Sequence, residues 1–430
     1  MMRREVLTAG LAAGLSVGLG RAARAQPPAR VARTATRIAG FAGDELDFQL
    51  MRSLGAANCG GAAPGEVFVA RAAIGEDPYA WPPAFAAMAA RVARDADQAR
   101  ARGHAVSARE HDLRASMYYR AAEYFADPFG PQGREWGLAS RDRFISAAKL
   151  TSDRIEPIAI PFEGVNLVGY FMAPAQGARG GRTLVMLSGF DGTAEEMYFQ
   201  AAAAGLARGY NVLIGEGPGQ AGMMRVRPEL KFRPDYEKPI AAMIDAALAR
   251  REVAAERLAL YGISFGGYFA TRAGEHDARI KALIVNSPII DLFAYMSGFI
   301  GPQASSDPPP VTLAEVDAIP DNEMPRTAKL SFKAACRRFG VDSFAGWLAR
   351  LKDFTAERDL AAIRCPTLPM VGAGEGPEAL AQFERYAAKV SGPVTRRVFT
   401  VEEGADMHCQ LGNLPLSCAV LYDWLDELFG

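Results

Sequence analysis

The sequence predicts an α/β fold: a mostly parallel, doubly wound sheet, preceded by a block of helices and interrupted by one helical insertion. Three observations carry that reading. From about residue 155 onward, short apolar runs of strand length alternate with helical stretches, as parallel strands joined by covering helices do. Residues 48–150 show helical periodicity instead. The junction Gly262-Ile263-Ser264-Phe265-Gly266 has a strand-like run before it and a helix-opening run after it, the context of a tight strand-to-helix elbow.

The chain has 430 residues, 50% hydrophobic, enough for a large core with additions. Its formal net charge is −1 and no long run of one sign occurs. That charge balance points away from nucleic acid or an anionic membrane as partner. At the N-terminus, Arg3-Arg4 precede an apolar stretch over 6–19, then Arg21 and Ala23-Arg24-Ala25. A charged start, a short apolar run and an A-x-A site read as a signal peptide over 1–25, cleaved after Ala25, of the twin-arginine type. The run is shorter than the ~20 residues a spanning helix needs, so no stable membrane insertion is expected. The expected compartment is periplasmic or extracellular. The Ala/Arg/Pro-rich stretch 26–47 reads as a mobile leader.

Residues 48–150 read as a helical lid domain. Pro82-Pro83 open one helix, since proline suits a first turn. Ser107 with Glu110 resembles a capping box. After it, Leu113, Met117, Ala121, Tyr124 and Phe125 recur at helical spacing. Tyr118, Tyr119 and Tyr124 read as core packing more than as substrate contacts. The second domain, 151–430, starts with a hairpin around Phe162-Glu163-Gly164. Strands follow at Thr183–Leu187 and at 211–214, 258–261, 282–285 and 368–371, with 396–400 a weaker sixth. Helices are expected between them, as over 239–250. Residues 291–353 lack a clear strand and contain a helical stretch at 327–339. That interval is expected to form a cap over the carboxyl ends of the strands, where open α/β sheets bind ligands.

Ser264 at the elbow is the candidate nucleophile. A serine hydroxyl needs a base within hydrogen-bond reach and an acid to orient that base. The expected chain order is Ser, then Asp or Glu, then His. His104 and His111 precede the serine, and His276 lies in a charged turn directly after the elbow helix. His408 remains, in the loop after the last strand. The acid is expected after strand 368–371, where Glu375 sits at the strand end. Glu378 begins the next helix and gains from the helix dipole without a catalytic reason; Asp406 is the third candidate. The oxyanion donors are expected to be the amides of Phe265, directly after the nucleophile, and Phe190, in the loop Ser188-Gly189-Phe190-Asp191-Gly192. Five cysteines, none in a C-x-x-C pair, argue against a zinc site. An oxidising compartment permits one or two disulfides with the pairing open, and Cys365 best fits a buried apolar role. No cofactor is expected.

In combination, these residues resemble the α/β-hydrolase family of 2,6-dihydroxypseudooxynicotine hydrolase and the FrsA-like esterases. The resemblance covers about residues 48–430. It rests on the run from Arg114 to Ala122, on Gly189-Phe190-Asp191-Gly192-Thr193-Ala194-Glu195-Glu196, on Gly215-Glu216-Gly217-Pro218-Gly219-Gln220, on the elbow, and on His408-Cys409. It implies an α/β-hydrolase fold whose helical domain closes over the site, a homodimer, and one of two chemistries on a small molecule. These are ester cleavage and hydrolysis of a carbon–carbon bond next to a ketone, through a Ser264–Glu375–His408 triad and an acyl-enzyme. The family often has Asp at position 216 and a basic residue at 194, so Glu216 and Ala194 depart from its pattern. A non-catalytic binding or regulatory protein on the same scaffold, and an acyltransferase, are the competing readings.

Overall fold

The structure is a computed structural model, and it describes residues 40–430. The expected signal peptide over 1–25 and most of the expected leader lie outside the described residues. The leader does not extend to residue 47, because a helix already begins at Asp44 (Asp44–Gly55). Asp44, Glu45 and Asp47 in its first turn complement the positive end of the helix dipole, and the Asp47 carboxylate accepts from the Phe41 amide at 3.1 Å.

Helices Pro64–Ile74, Trp81–Ala101, Ala105–Tyr124 and Pro131–Ala148 complete the N-terminal block. The expected capping box at Ser107 does not form. Gly103, at φ +79°, ends the preceding helix so abruptly that the next begins at Ala105. Ser107 therefore falls inside the helix, and the residue at the N-cap, His104, makes no side-chain capping hydrogen bond.

The second domain is built on eight strands: β1 (Arg154–Phe162), β2 (Val165–Ala173), β3 (Thr183–Leu187), β4 (Asn211–Glu216), β5 (Leu258–Ile263), β6 (Ala282–Asn286), β7 (Thr367–Gly372) and β8 (Arg397–Phe399). Their order is β1-β2-β4-β3-β5-β6-β7-β8. The β1–β2 and β2–β4 pairs are antiparallel, and every pair from β4 to β8 is parallel. Strands β3 to β7 are buried throughout, which is why they read as continuous apolar runs.

Side chains alternate across the sheet and feed two separate cores. Leu184, Met186, Ile214 and Tyr261 join one face, together with Trp81, Phe85, Tyr118 and Phe125 of the N-terminal helices. Val185, Leu187, Leu213 and Leu260 join the other, together with Phe332, Phe339, Phe344 and Trp347. Those last four come from helices Arg326–Phe339 and Phe344–Leu351, inside the expected cap interval, which also holds Leu292–Ile300. Each covering segment thus extends the core of one sheet face, and a cavity remains where both meet the carboxyl ends of the strands. All five cysteines are free thiols. Cys365 is only half-buried, because it lies in the loop before β7; Cys336, Cys409 and Cys418 are the buried ones. No described helix is long and apolar enough to cross a membrane.

Candidate active site

Ser264 follows β5 at φ +60°, a left-handed conformation that costs a non-glycine residue about 1–3 kcal/mol. The flanking glycines make that turn sterically feasible. A Cβ at Gly262 would collide with the Gly266 carbonyl, and one at Gly266 would stand 2.8 Å from the Ser188 carbonyl. Helix Gly266–His276 starts directly after the turn. The Ser264 amide donates to the Asn286 carbonyl at the end of β6, at 2.5 Å. The apex is therefore held from both sides.

His408 meets this serine. Its Nε2 lies 2.9 Å from Ser264 Oγ, across 144 residues of sequence. Its Nδ1 lies 2.6 Å from Glu375 Oε2. The three side chains thus form one hydrogen-bonded line with the imidazole in the middle. The other histidines are elsewhere: His104 and His276 are exposed, and His111 bonds Arg114.

Glu375 is fully buried at the end of a short turn, Ala373–Glu375, that follows β7. Its Oε1 accepts from the Gly372 amide at 2.8 Å. Its Oε2 also accepts from Ser287 Oγ at 2.5 Å and from Tyr295 OH at 3.4 Å. Burial works to raise this carboxyl, but the His408 charge and the His408, Ser287 and Gly372 hydrogen bonds outweigh it and hold it below the ordinary glutamate value. The His408 imidazole moves the opposite way. Burial opposes its charge, and the Cys409 sulfur and the Glu375 carboxylate overcome that and raise it above 6.5. Glu378 is spent elsewhere, on Gln382 and Arg385. Asp406 presents its carbonyl to the Gly374 amide at 2.8 Å, and so braces the Glu375 turn through its backbone.

The loop after β3 covers the elbow. A Cβ built on Gly189 would lie 2.5 Å from the Phe265 nitrogen and 2.9 Å from the Ser264 Cβ. Only glycine permits that approach, and Phe190 follows it. Two arginines from the N-terminal helices fasten this loop. Arg52 pairs with Asp191 at 3.0 Å and with Glu196, and Arg120 pairs with Glu196 at 3.0 Å. A second linkage runs from Glu123 to Arg225 at 2.6 Å and on to Glu195 at 3.1 Å.

The cavity above Ser264 has a volume of about 260 Å³, near the lower end for small-molecule sites. Phe48, Phe190, Leu292, Met296, Phe299 and Trp347 contribute apolar wall, and Ser264, His408, Arg52, Arg120 and Arg338 also line it. Tyr124 packs against the core as expected and is also part of this wall. It ends its helix facing the cavity, with its hydroxyl 2.6 Å from Glu45 Oε1 and its ring 5.4 Å from the Arg120 guanidinium.

Ser287 and Tyr295 were not legible as site residues. Ser287 follows β6 at the carboxyl edge of the sheet, a position that favours ligand contact and was its one available signal.

A family model described as the alpha/beta hydrolase family matches residues 184–413. The alpha/beta hydrolase xenA of Xenoacremonium sinensis is 32% identical over 417 residues, covering 89% of this chain and 96% of that one. A 20-hydroxy-prefusarin hydrolase of Gibberella moniliformis is 30% identical over 422 residues, covering 90% and 97%. Among solved structures, 2,6-dihydroxy-pseudo-oxynicotine hydrolase superposes with a TM-score of 0.67 at 21% identity, over 86% of this chain and 94% of that one; at that identity the likeness concerns the fold. With a family model spanning more than half of the chain and near-full-length relatives that are hydrolases, the protein is an enzyme of hydrolase type, and the chain belongs to the alpha/beta hydrolase family.

Proposed function

We propose that this protein is a serine hydrolase that cleaves a carbonyl substrate through an acyl-enzyme. The bond cut is a carboxylic ester or a carbon–carbon bond next to a ketone. One observation carries the proposal: Ser264 Oγ, His408 Nε2, His408 Nδ1 and Glu375 Oε2 are joined by two short hydrogen bonds. That is the geometry by which an imidazole takes a hydroxyl proton while a carboxylate holds its tautomer.

In this reading Ser264 Oγ attacks the carbonyl carbon as its proton passes to His408 Nε2. The oxyanion is held by the amides of Phe265 and Phe190, at the tight approach that Gly189 permits. The tetrahedral adduct collapses and expels the leaving group, which takes the proton from His408. For an ester the leaving atom is an alkoxide oxygen. For a carbon–carbon bond it is the enolate carbon that inherits the bonding pair. Water then gives a proton to His408, attacks the acyl-enzyme and releases the acid, returning the proton to Ser264. Glu375 stays ionised throughout, consistent with its depressed carboxyl. The apolar wall suits a hydrophobic small molecule.

The test is a substrate panel: short-chain aryl esters against β-diketones that release an acid on cleavage. Turnover of either class, lost in Ser264→Ala, supports the reading. Absence of turnover on both, with no covalent adduct on Ser264, sinks it in favour of a binding protein.

A further inference from the structure

The arginines on the cavity wall fall into two groups. Arg52, Arg120 and Arg225 are neutralised by ion pairs to Asp191, Glu196, Glu123 and Glu195. Arg338, at the end of the cap helix Arg326–Phe339, is different. Its single side-chain hydrogen bond runs from Nη1 to the Gly219 carbonyl at 2.7 Å. No carboxylate stands within ion-pair distance of it among the described residues. Its guanidinium carbon lies 5.2 Å from the centre of the Phe190 ring, on the loop that covers the elbow. Its backbone is fixed as well, since its carbonyl accepts from the Phe232 amide at 2.9 Å. The guanidinium is thus held in place, with Nε and Nη2 uncommitted and the side chain on the cavity wall.

Taking a charge out of water is expensive unless a partner repays it. Burial here works against the Arg338 charge, and the more distant Asp191, Glu123 and Glu216 only partly offset that. Arg338 is half-buried and has no counter-ion at ion-pair distance, so on this wall it is placed to bind an anion, whereas Arg52, Arg120 and Arg225 are already paired. A guanidinium edge offers two parallel N–H donors, matched to two oxygens in one plane. Arg134 and Arg337 also line the cavity without ion pairs. Arg134, however, is committed through Nε to the Arg225 carbonyl at 2.7 Å, and Arg337 lies against the Phe129 ring, 5.5 Å away. Arg338 is the one packed on the oxyanion loop.

We propose that Arg338 is a specificity-determining residue that binds a planar, delocalised two-oxygen anion carried by the substrate, either a carboxylate or a 1,3-dicarbonyl enolate. The proposal rests on the hydrolase reading of the same cavity, and its test is separable from that reading because it measures binding without turnover.

Ser264→Ala protein is titrated calorimetrically with two matched probe pairs. The first is 4-phenylbutyrate against 4-phenylbutyramide. The second is 1-phenylbutane-1,3-dione against its 2,2-dimethyl derivative, which cannot form an enolate. The carboxylate, or the dione titrated at a mildly basic pH where it ionises to its enolate, should bind about tenfold tighter or better than its matched partner, the return on a charge-assisted hydrogen bond. Which pair shows the preference tells carboxylate from enolate. Adding Arg338→Gln should shrink the preference below about threefold. If that variant does not fold, Arg338→Lys, which keeps the charge without the fork, should reduce the preference at least about threefold. No anion preference in either pair, or a preference that survives these substitutions, overturns the proposal. Failure of the hydrolase reading would show separately, as absence of turnover by the Ser264-containing protein.

Discussion

Replacing Glu375 by glutamine changes one oxygen to an amide nitrogen, and the structure leaves that amide no good orientation. The carboxylate accepts on both sides: Oε2 from His408 Nδ1, Ser287 Oγ and Tyr295 OH, and Oε1 from the Gly372 amide. If the amide oxygen faces His408, the NH₂ group faces the Gly372 N–H, donor against donor. In a fully buried position that costs about 1–3 kcal/mol of stability. If the amide flips, its NH₂ faces His408 Nδ1 and the imidazole takes the other tautomer, with its proton on Nε2 facing Ser264. The base is then already protonated where it must accept. The equivalent exchange in a serine triad lowers kcat by about 10⁴-fold, a barrier increase of about 5.4 kcal/mol. We expect kcat/KM on a short-chain aryl ester to fall about 10³- to 10⁴-fold. Glu378→Gln is the control. Its carboxylate bonds Gln382 and the half-exposed Arg385, and a surface pair of that kind is worth about 0–1 kcal/mol. Its loss should leave kcat/KM within about threefold. Folding is checked by circular dichroism. Retention of more than about a tenth of the activity by a folded Glu375→Gln, or an equal or larger loss in Glu378→Gln, would refute the assignment of the acid.

Two further outcomes follow from the site. His408 must be neutral to act as base, and its pKa lies above the ordinary 6.5, so the acid limb of kcat/KM against pH should have its midpoint above 6.5. The sign for stability is opposite. The raised imidazole contributes its stability fully below pH 6.5, as long as Glu375 stays ionised, and loses it as pH rises through the elevated value. An acid limb at or below 6.5 in a pH-rate profile contradicts the raised assignment. Arg225→Met leaves Glu195 buried and Glu123 largely so, without their shared cation. It should cost about 3–5 kcal/mol, read by denaturant unfolding, and a loss below about 1 kcal/mol would show that the linkage is not structural.

The sheet was legible because its inner strands are buried on both faces, so β3, β5, β6 and β7 each stand out as an apolar run between breakers. The elbow that carries the candidate nucleophile was legible because it constrains its neighbours: glycines at 262 and 266 are demanded by the Gly266 and Ser188 carbonyls. His408 followed from elimination among four histidines, and Glu375 from its place at a strand end. What stayed hidden depends on long-range contact. Ser287 and Tyr295 reach Glu375 across 88 and 80 residues, and no local pattern records such a pairing. Tyr124 and Arg338 each end an amphipathic helix, and periodicity identifies a face without saying whether it meets core or cavity. Ser107 failed for a local reason: Gly103 ended the previous helix so close that the N-cap is His104, three residues earlier than the capping-box pattern would place it.

The central claim is that Ser264 is an activated nucleophile. A fluorophosphonate probe reports this without knowledge of the substrate, because it reacts covalently with a serine whose proton has an acceptor. The account predicts that the wild-type protein is labelled on Ser264, that Ser264→Ala is not labelled, and that His408→Ala is labelled far more slowly. An unlabelled wild-type protein, or equal labelling of wild type and Ser264→Ala, would contradict it.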